Sequence, residues 1–173
     1  MKCLMLGCGM KEPKRGIRLA DSPDDVEVEW TTLDISRACN PNVVFDLNDL
    51  CHGQRLPFNG PFDEIHAYEV LEHYGTIGDH LGFFQEWAEF WRVLEPGGLF
   101  FGSTPEQHAM FADPGHKRCV SFSMLQHLTR GYYENVGKSH VTDYRALIEP
   151  HWWEMVGAEP KSNTLVFCMR KSS

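Results

Sequence analysis

The stretch Phe62-Asp63-Glu64-Ile65-His66-Ala67-Tyr68-Glu69-Val70-Leu71-Glu72-His73, followed further on by Leu94-Glu95-Pro96-Gly97-Gly98-Leu99-Phe100, decides the fold. The first half reads as a strand that runs into a polar turn carrying carboxylates and an imidazole. Between the two quoted segments, Phe83, Phe84, Trp87, Phe90, Trp91 and Leu94 recur at helical spacing and give one broad aromatic face, which is expected to be core packing. Pro96-Gly97-Gly98 ends that helix, because proline cannot continue one and glycine readily takes the left-handed cap. Leu99 to Thr104 then reads as the next strand. Strand, polar turn, helix and strand in succession make one unit of a parallel α/β sheet.

Outward from this unit, Lys2 to Leu6 is a short apolar strand that stops at Gly7-Cys8-Gly9. Trp30 to Ile35 is a second strand with Asp34 at its end, and Asn42 to Phe45 a third that ends at Asp46. The connection from Met10 to Glu29 holds Pro13, Gly16, Pro23 and a run of acids with no helical periodicity. It is therefore expected to be a loop with at most a short helix, where such units normally carry a long one. Ser121 can cap a short helix carrying Phe122, Leu125 and Leu128. Trp152 to Val156 and Thr164 to Met169 are expected to pair as the last two strands, joined through Gly157 to Asn163. The expectation is one domain over residues 1–173. It is an α/β sandwich whose mostly parallel sheet has helices on both sides, a shortened first helix and an antiparallel C-terminal strand.

The composition suits a globular domain: 42% of the 173 residues are hydrophobic and 23% charged. No apolar run approaches the ~20 residues that a membrane span needs. A net charge of −8 argues against general nucleic-acid binding, which depends on a basic surface. The six cysteines show no paired CxxC spacing and are read as reduced thiols. With no export signal, a cytoplasmic setting is expected.

Glycines at Gly7 and Gly9 let a ligand approach the backbone where a side chain would exclude it. Asp34, at the end of the next strand, can accept both hydrogen bonds of a ribose diol, and Asp46 ends the third strand in the same way. Aspartates in such places also cap turns. Three such features at the carboxyl ends of successive strands favour a ligand site, because that edge of an open α/β sheet is where ligands bind.

These residues, with Glu69-Val70-Leu71-Glu72-His73 and Arg92-Val93-Leu94-Glu95-Pro96-Gly97-Gly98, resemble the class I S-adenosylmethionine-dependent methyltransferases, in particular the small type 11-like branch. The resemblance covers most of residues 2–120. It implies that Gly7, Cys8 and Gly9 line the methionine end of the cofactor and that Asp34, with Ile35 beside it, holds the ribose. Asp46 and Leu47 would flank the adenine, and Tyr68 would lie beneath the sulfonium. The chain departs from the pattern in lacking the third glycine of the usual loop, where Lys11 stands.

Glu69, Glu72 and His73 form an ExxEH cluster. The stretch is similar to those of ubiquinone-pathway O-methyltransferases and small-RNA 3′-end 2′-O-methyltransferases, where the cluster binds a divalent cation. The RNA-end group adds a later histidine, for which His116 is the candidate. Metal-free relatives carry the same residues, so no metal is assigned. Glu69, His73, Lys117 and Arg118 are placed in the substrate pocket. His116 is the expected general base, on a polar loop from Pro105 to Val120 that would close over the acceptor. His80, His108, His127 and His151 receive no role.

The resulting expectation is methyl transfer to an oxygen or nitrogen of a small-molecule or end-group substrate. A cofactor-binding protein that regulates a heteromeric enzyme is one alternative. A nicotinamide-dependent enzyme is another, although it leaves the Glu69–His73 and Glu95–Gly98 signatures unexplained. DNA-base methylation is disfavoured, since no Asn/Asp-Pro-Pro-aromatic or Pro-Cys sequence occurs.

Overall fold

A computed structural model describes residues 1–20, 22, 26–106 and 108–173. Asp21, Pro23, Asp24 and Asp25 of the first connection lie outside the described residues, as does Gln107 of the expected lid.

Among the described residues seven strands, numbered β1 to β7 in chain order, form one sheet in the order β3-β2-β1-β4-β5-β7-β6. The strands β1 (Lys2–Leu6), β2 (Glu29–Asp34), β3 (Val43–Val44), β4 (Phe62–Tyr68) and β5 (Leu94–Pro105) run parallel. The last two, β6 (Trp153–Lys161) and β7 (Thr164–Lys171), form an antiparallel hairpin, with β7 inserted beside β5. The expected long connection between them is two residues, Ser162 and Asn163, with Ser162 at a φ of 59°. Order reversal at β1 and β4 leaves a crevice at the carboxyl ends of those strands, the place where open α/β sheets bind ligands.

Among the described residues the α-helices are α1 (Asn48–Cys51), α2 (His80–Val93), α3 (Phe122–Gln126) and α4 (Arg145–Ile148), beside three short 3-10 helices. In α2 the Asp79 side chain accepts from Gly82 N at 3.0 Å, capping the first turn. The helix buries Phe83, Phe84, Trp87 and Phe90, as the spacing predicts, and also Val93, while Trp91 is only partly buried. Trp87 is fully buried and meets Phe90, Phe100 and Trp153 at ring-centroid distances of 5.7, 4.8 and 5.3 Å. Aromatic pairs in that range add to the stabilisation that burial already gives. Ser121 caps α3 by accepting from Met124 N at 3.3 Å.

Pro96-Gly97-Gly98 does not separate helix from strand as a free turn. Strand β5 begins at Leu94, and its pairing with β4 skips from Phe62↔Leu94 to Glu64↔Leu99. The proline and glycines form that irregularity, with Gly97 at a φ of 77° that a side chain would resist.

The expectation of helices on both sides of the sheet is corrected. Leu50, Phe90, Leu125 and Ile148, one from each helix, join a single core with Leu4, Leu6, Ile65, Phe100 and Phe167. The opposite face of the sheet buries Cys3, Met5, His66, Phe101 and Cys168, all outside that core. Between β1 and β2 no helix occurs among the described residues, where a shortened first helix was expected.

Polar anchors hold that loop on the sheet instead of an apolar helix face. Arg15 donates to both oxygens of Glu64 at 2.7 and 2.8 Å, and Ile17 N donates to the Tyr68 hydroxyl at 3.1 Å. The Tyr68 hydroxyl in turn lies 2.6 Å from His66 Nδ1, and His66 Nε2 lies 2.9 Å from Glu64. Burial by itself would raise the Glu64 carboxyl, but hydrogen bonds from His66 and Arg15 outweigh it and hold it down at about 2.

Candidate functional site

A cavity of about 380 Å³ opens at the carboxyl ends of β1, β2 and β4. Gly7, Gly9, Asp34, Ile35, Asp46, Leu47, Glu69, His73 and Lys117, all expected at the site, line it. The turn after β1 puts Gly7 and Gly9 at φ values of 60° and 59°. A Cβ on Gly7 would run into the Val70 side chain, whereas one on Gly9 would meet nothing within 4 Å. Gly7 thus serves close packing against the turn after β4, and Gly9 leaves its side of the cavity open.

Asp34 ties the two walls together. Its Oδ2 accepts from Gly9 N at 2.9 Å and its Oδ1 from Ser36 N at 2.8 Å. Each carboxylate oxygen keeps a further lone pair for a ligand. Asp46 Oδ1 accepts from the Asn48 backbone N at 2.9 Å and from its side chain at 2.7 Å. Both aspartates therefore stabilise local turns while facing the cavity. Ile35, 62% exposed, and the buried Leu47 give this end an apolar lining suited to a flat base.

At the far end, Glu69 sits at a φ of 49° with its N donating to Ser103 O at 2.9 Å. A non-glycine residue in the left-handed region is uncommon, and such strain concentrates at ligand sites. Behind it, Glu72 is 1% exposed and neither carboxylate oxygen has a hydrogen-bond partner among the described residues. Burial pushes its carboxyl up to about 7. His73 Nε2 and His116 Nε2 stand 3.9 and 4.0 Å from Glu72 Oε1. One ligand atom from each of the three lies within 4.8 Å of the others, and an orphaned buried carboxylate beside two imidazoles fits a divalent cation.

Four expected site residues take other places. Cys8 is not among the residues that line the cavity, and its N donates to Leu33 O at 3.2 Å. Tyr68 is not beneath the cavity, because its hydroxyl is committed to His66 and Ile17 on the helix-free face of the sheet. His116 is also absent from the lining. Its Nδ1 donates to Met110 O at 2.7 Å, and its ring packs edge-on against His73 at 4.8 Å. Arg118 is 4% exposed and is bound to Glu86 at 2.8 Å, so it is a core cation and not a free substrate ligand. Lys117 does line the cavity, and its N bonds Glu72 O at 2.8 Å, which stitches the loop after β5 to the turn after β4.

Phe45, Asn48 and Tyr74 line the cavity without having been singled out in the sequence. Asn48 Oδ1 accepts from Gly75 N at 3.0 Å across a gap of twenty-seven residues, a pairing with no local sequence signal.

Neither a protein-family profile nor a curated protein sequence matches the chain. Solved structures do match. The N-methyltransferase NodS from Bradyrhizobium japonicum superposes with a TM-score of 0.59 at 14% identity, covering 99% of this chain and 86% of that one. An S-adenosylmethionine-dependent methyltransferase from Clostridium acetobutylicum gives a TM-score of 0.60 at 8% identity, covering 99% and 84%. The DhpI complex with S-adenosylhomocysteine gives 0.58 at 16%, covering 99% and 76%. The fold is that of the class I S-adenosylmethionine-dependent methyltransferases. At these identities the likeness defines the fold, and the chemistry has to be argued from the site.

Proposed function

We propose that the protein binds S-adenosylmethionine in the cavity after β1, β2 and β4 and transfers its methyl group to an oxygen or nitrogen of a small-molecule or end-group acceptor. The observation that carries this reading is the Asp34 carboxylate, which is hydrogen-bonded to Gly9 N at the end of β2 and lines the same cavity as Gly7, Asp46 and Leu47. NodS and DhpI, which share the fold, are both solved with S-adenosylhomocysteine. In this reading Asp34 takes the ribose hydroxyls, Ile35 and Leu47 hold the adenine, and the Gly7–Gly9 turn admits the methionine end.

The transfer forms a bond from the acceptor to the methyl carbon and breaks the bond from that carbon to sulfur, releasing S-adenosylhomocysteine. The sulfonium is already activated, so the main task of the chain is to hold the three atoms in line, which can supply roughly 7–11 kcal/mol of the barrier. His73, with a side chain 44% exposed at the cavity wall, is better placed than His116 to take the acceptor's proton. His116, whose ring packs edge-on against His73 at 4.8 Å, then acts behind it by limiting how the imidazole turns. A divalent cation held by Glu72, His73 and His116 would supply charge stabilisation for a deprotonated acceptor hydroxyl.

Calorimetry with S-adenosylhomocysteine tests the reading directly. Asp34→Ala is expected to weaken binding by about 1–3 kcal/mol, because it orphans the ribose and also frees Gly9 N. Equal affinity in the variant would remove Asp34 from the ribose site. Binding of NADH with no binding of S-adenosylhomocysteine would replace the methyl-transfer reading with the nicotinamide one.

A further inference from the structure

We propose that a second cavity, of about 480 Å³, is a binding site for a neutral aromatic ring that carries a hydroxyl group. It opens beside the first turn of α2 and is bounded by α3 and Tyr144. It lies near the first cavity: Tyr74 lines the first, Arg118 lines the second, and the guanidinium carbon lies 4.4 Å from the centre of the Tyr74 ring. The volume is within the range usual for small-molecule sites.

The walls present rings. Tyr144 stands at centroid distances of 5.5 Å from His80, 5.4 Å from Phe84 and 5.5 Å from His127, in tilted and edge-on arrangements. A further ring can join such a cluster in the same offset geometry. Ile77, at the wall, is 67% exposed, an apolar side chain that a ligand in the cavity would cover.

The charges on this wall are already committed. Arg118 is paired with Glu86 at 2.8 Å, and the Asp79 carboxylate caps α2. An anion would gain no free cation from Arg118 and would meet the Asp79 charge. His127 offers the polar contact. The ring lines the cavity, its Nδ1 is shut off from solvent with no hydrogen-bond partner among the described residues, and burial lowers its pKa, which favours the neutral ring; the ligand contact is assigned to Nε2. In a neutral imidazole Nε2 either donates or accepts according to tautomer. A hydroxyl does both, so it matches either form, whereas a carbonyl or an ether matches one.

That the ring is the body of the methyl acceptor rests on the methyl-transfer reading above. That the cavity holds such a ring does not. The test is titration of the full chain at pH 8, without cofactor, with p-cresol, toluene and benzoate, followed by calorimetry and by ring resonances of Phe84 and Tyr144. The expected result is saturable binding of p-cresol that moves both resonances, about threefold to tenfold tighter than toluene, the worth of one hydrogen bond. Benzoate is expected to bind at least about tenfold more weakly. His127→Phe should erase the preference for p-cresol over toluene. Ile77→Asp, at a position too exposed to threaten folding, should weaken both ligands with an unchanged melting temperature. Absence of binding, benzoate binding as tightly as p-cresol, or resonances that stay still during binding would overturn the proposal. A protein that binds p-cresol here but not S-adenosylhomocysteine keeps this site and loses the methyl-transfer reading; the converse loses this site alone.

Discussion

Arg118→Ala is expected to destabilise the fold by about 3–5 kcal/mol, the usual cost of stranding one partner of a buried ion pair. Glu86 is fully buried, and its Oε2 accepts from Arg118 Nη2 at 2.8 Å. Without the guanidinium that carboxylate has no cation to offset its desolvation. The same substitution removes the Arg118 Nε donor from Leu71 O, at 2.8 Å, and the stacking over Tyr74. Both of those contacts brace the turn between β4 and α2, so the loss should spread to the cavity wall. Urea denaturation of the single variant and of Arg118→Met with Glu86→Met separates the causes. Removing both charges is expected to recover at least about 2 kcal/mol, since a buried pair replaced by apolar side chains is often close to neutral. A single variant within about 1 kcal/mol of the parent would return Arg118 to the role of a substrate ligand.

Glu72→Gln is expected to stabilise the metal-free protein at pH 8. Burial raises the folded-state carboxyl from 4.5 to about 7, so between those values the native state holds a proton that the unfolded state has lost. Stability therefore falls as pH rises through that window and is constant, for this group, above it. The full difference corresponds to about 3 kcal/mol at pH 8 and nearly nothing at pH 4.5. Denaturant midpoints of chelator-treated parent and variant across pH 4.5–8 give the measurement. Parallel profiles would mean that Glu72 is hydrated or paired in solution. Manganese added at pH 8 is expected to raise the melting temperature of the parent and to leave Glu72→Gln nearly unmoved, because the variant lacks the anionic donor of the three-residue cluster. Equal responses would leave Glu72 as a proton site without a cation.

The first cavity was readable where function is tied to chain order. Gly7, Gly9, Asp34 and Asp46 each follow a strand, and parallel strands bring their carboxyl ends to one edge whatever their spacing in sequence. Tyr68 was misplaced because the side of the sheet to which a strand residue points depends on register. Its partner Ile17 belongs to a loop whose path no periodicity announces. Arg118 was misread because a cation in a polar segment looks exposed until its burial partner, thirty-two residues earlier on α2, is known. The second cavity had no signature at all, since His80, Phe84, His127 and Tyr144 come from three separate segments.

By itself the sequence determined the strands, the aromatic helix α2, the mostly parallel sheet and the ligand edge. These follow from hydrophobic periodicity and from glycine, proline and aspartate at strand ends, which are local properties of the chain. Only the tertiary structure decided that the helices pack on one face, that Arg15 and Glu64 fasten the loop that replaces the first helix, and that Glu72, His73 and His116 converge. Each of these depends on residues far apart in the chain meeting out of water, where an unpaired charge is costly and a paired one is held in place. That energy exists once the chain has folded, and no local pattern carries it.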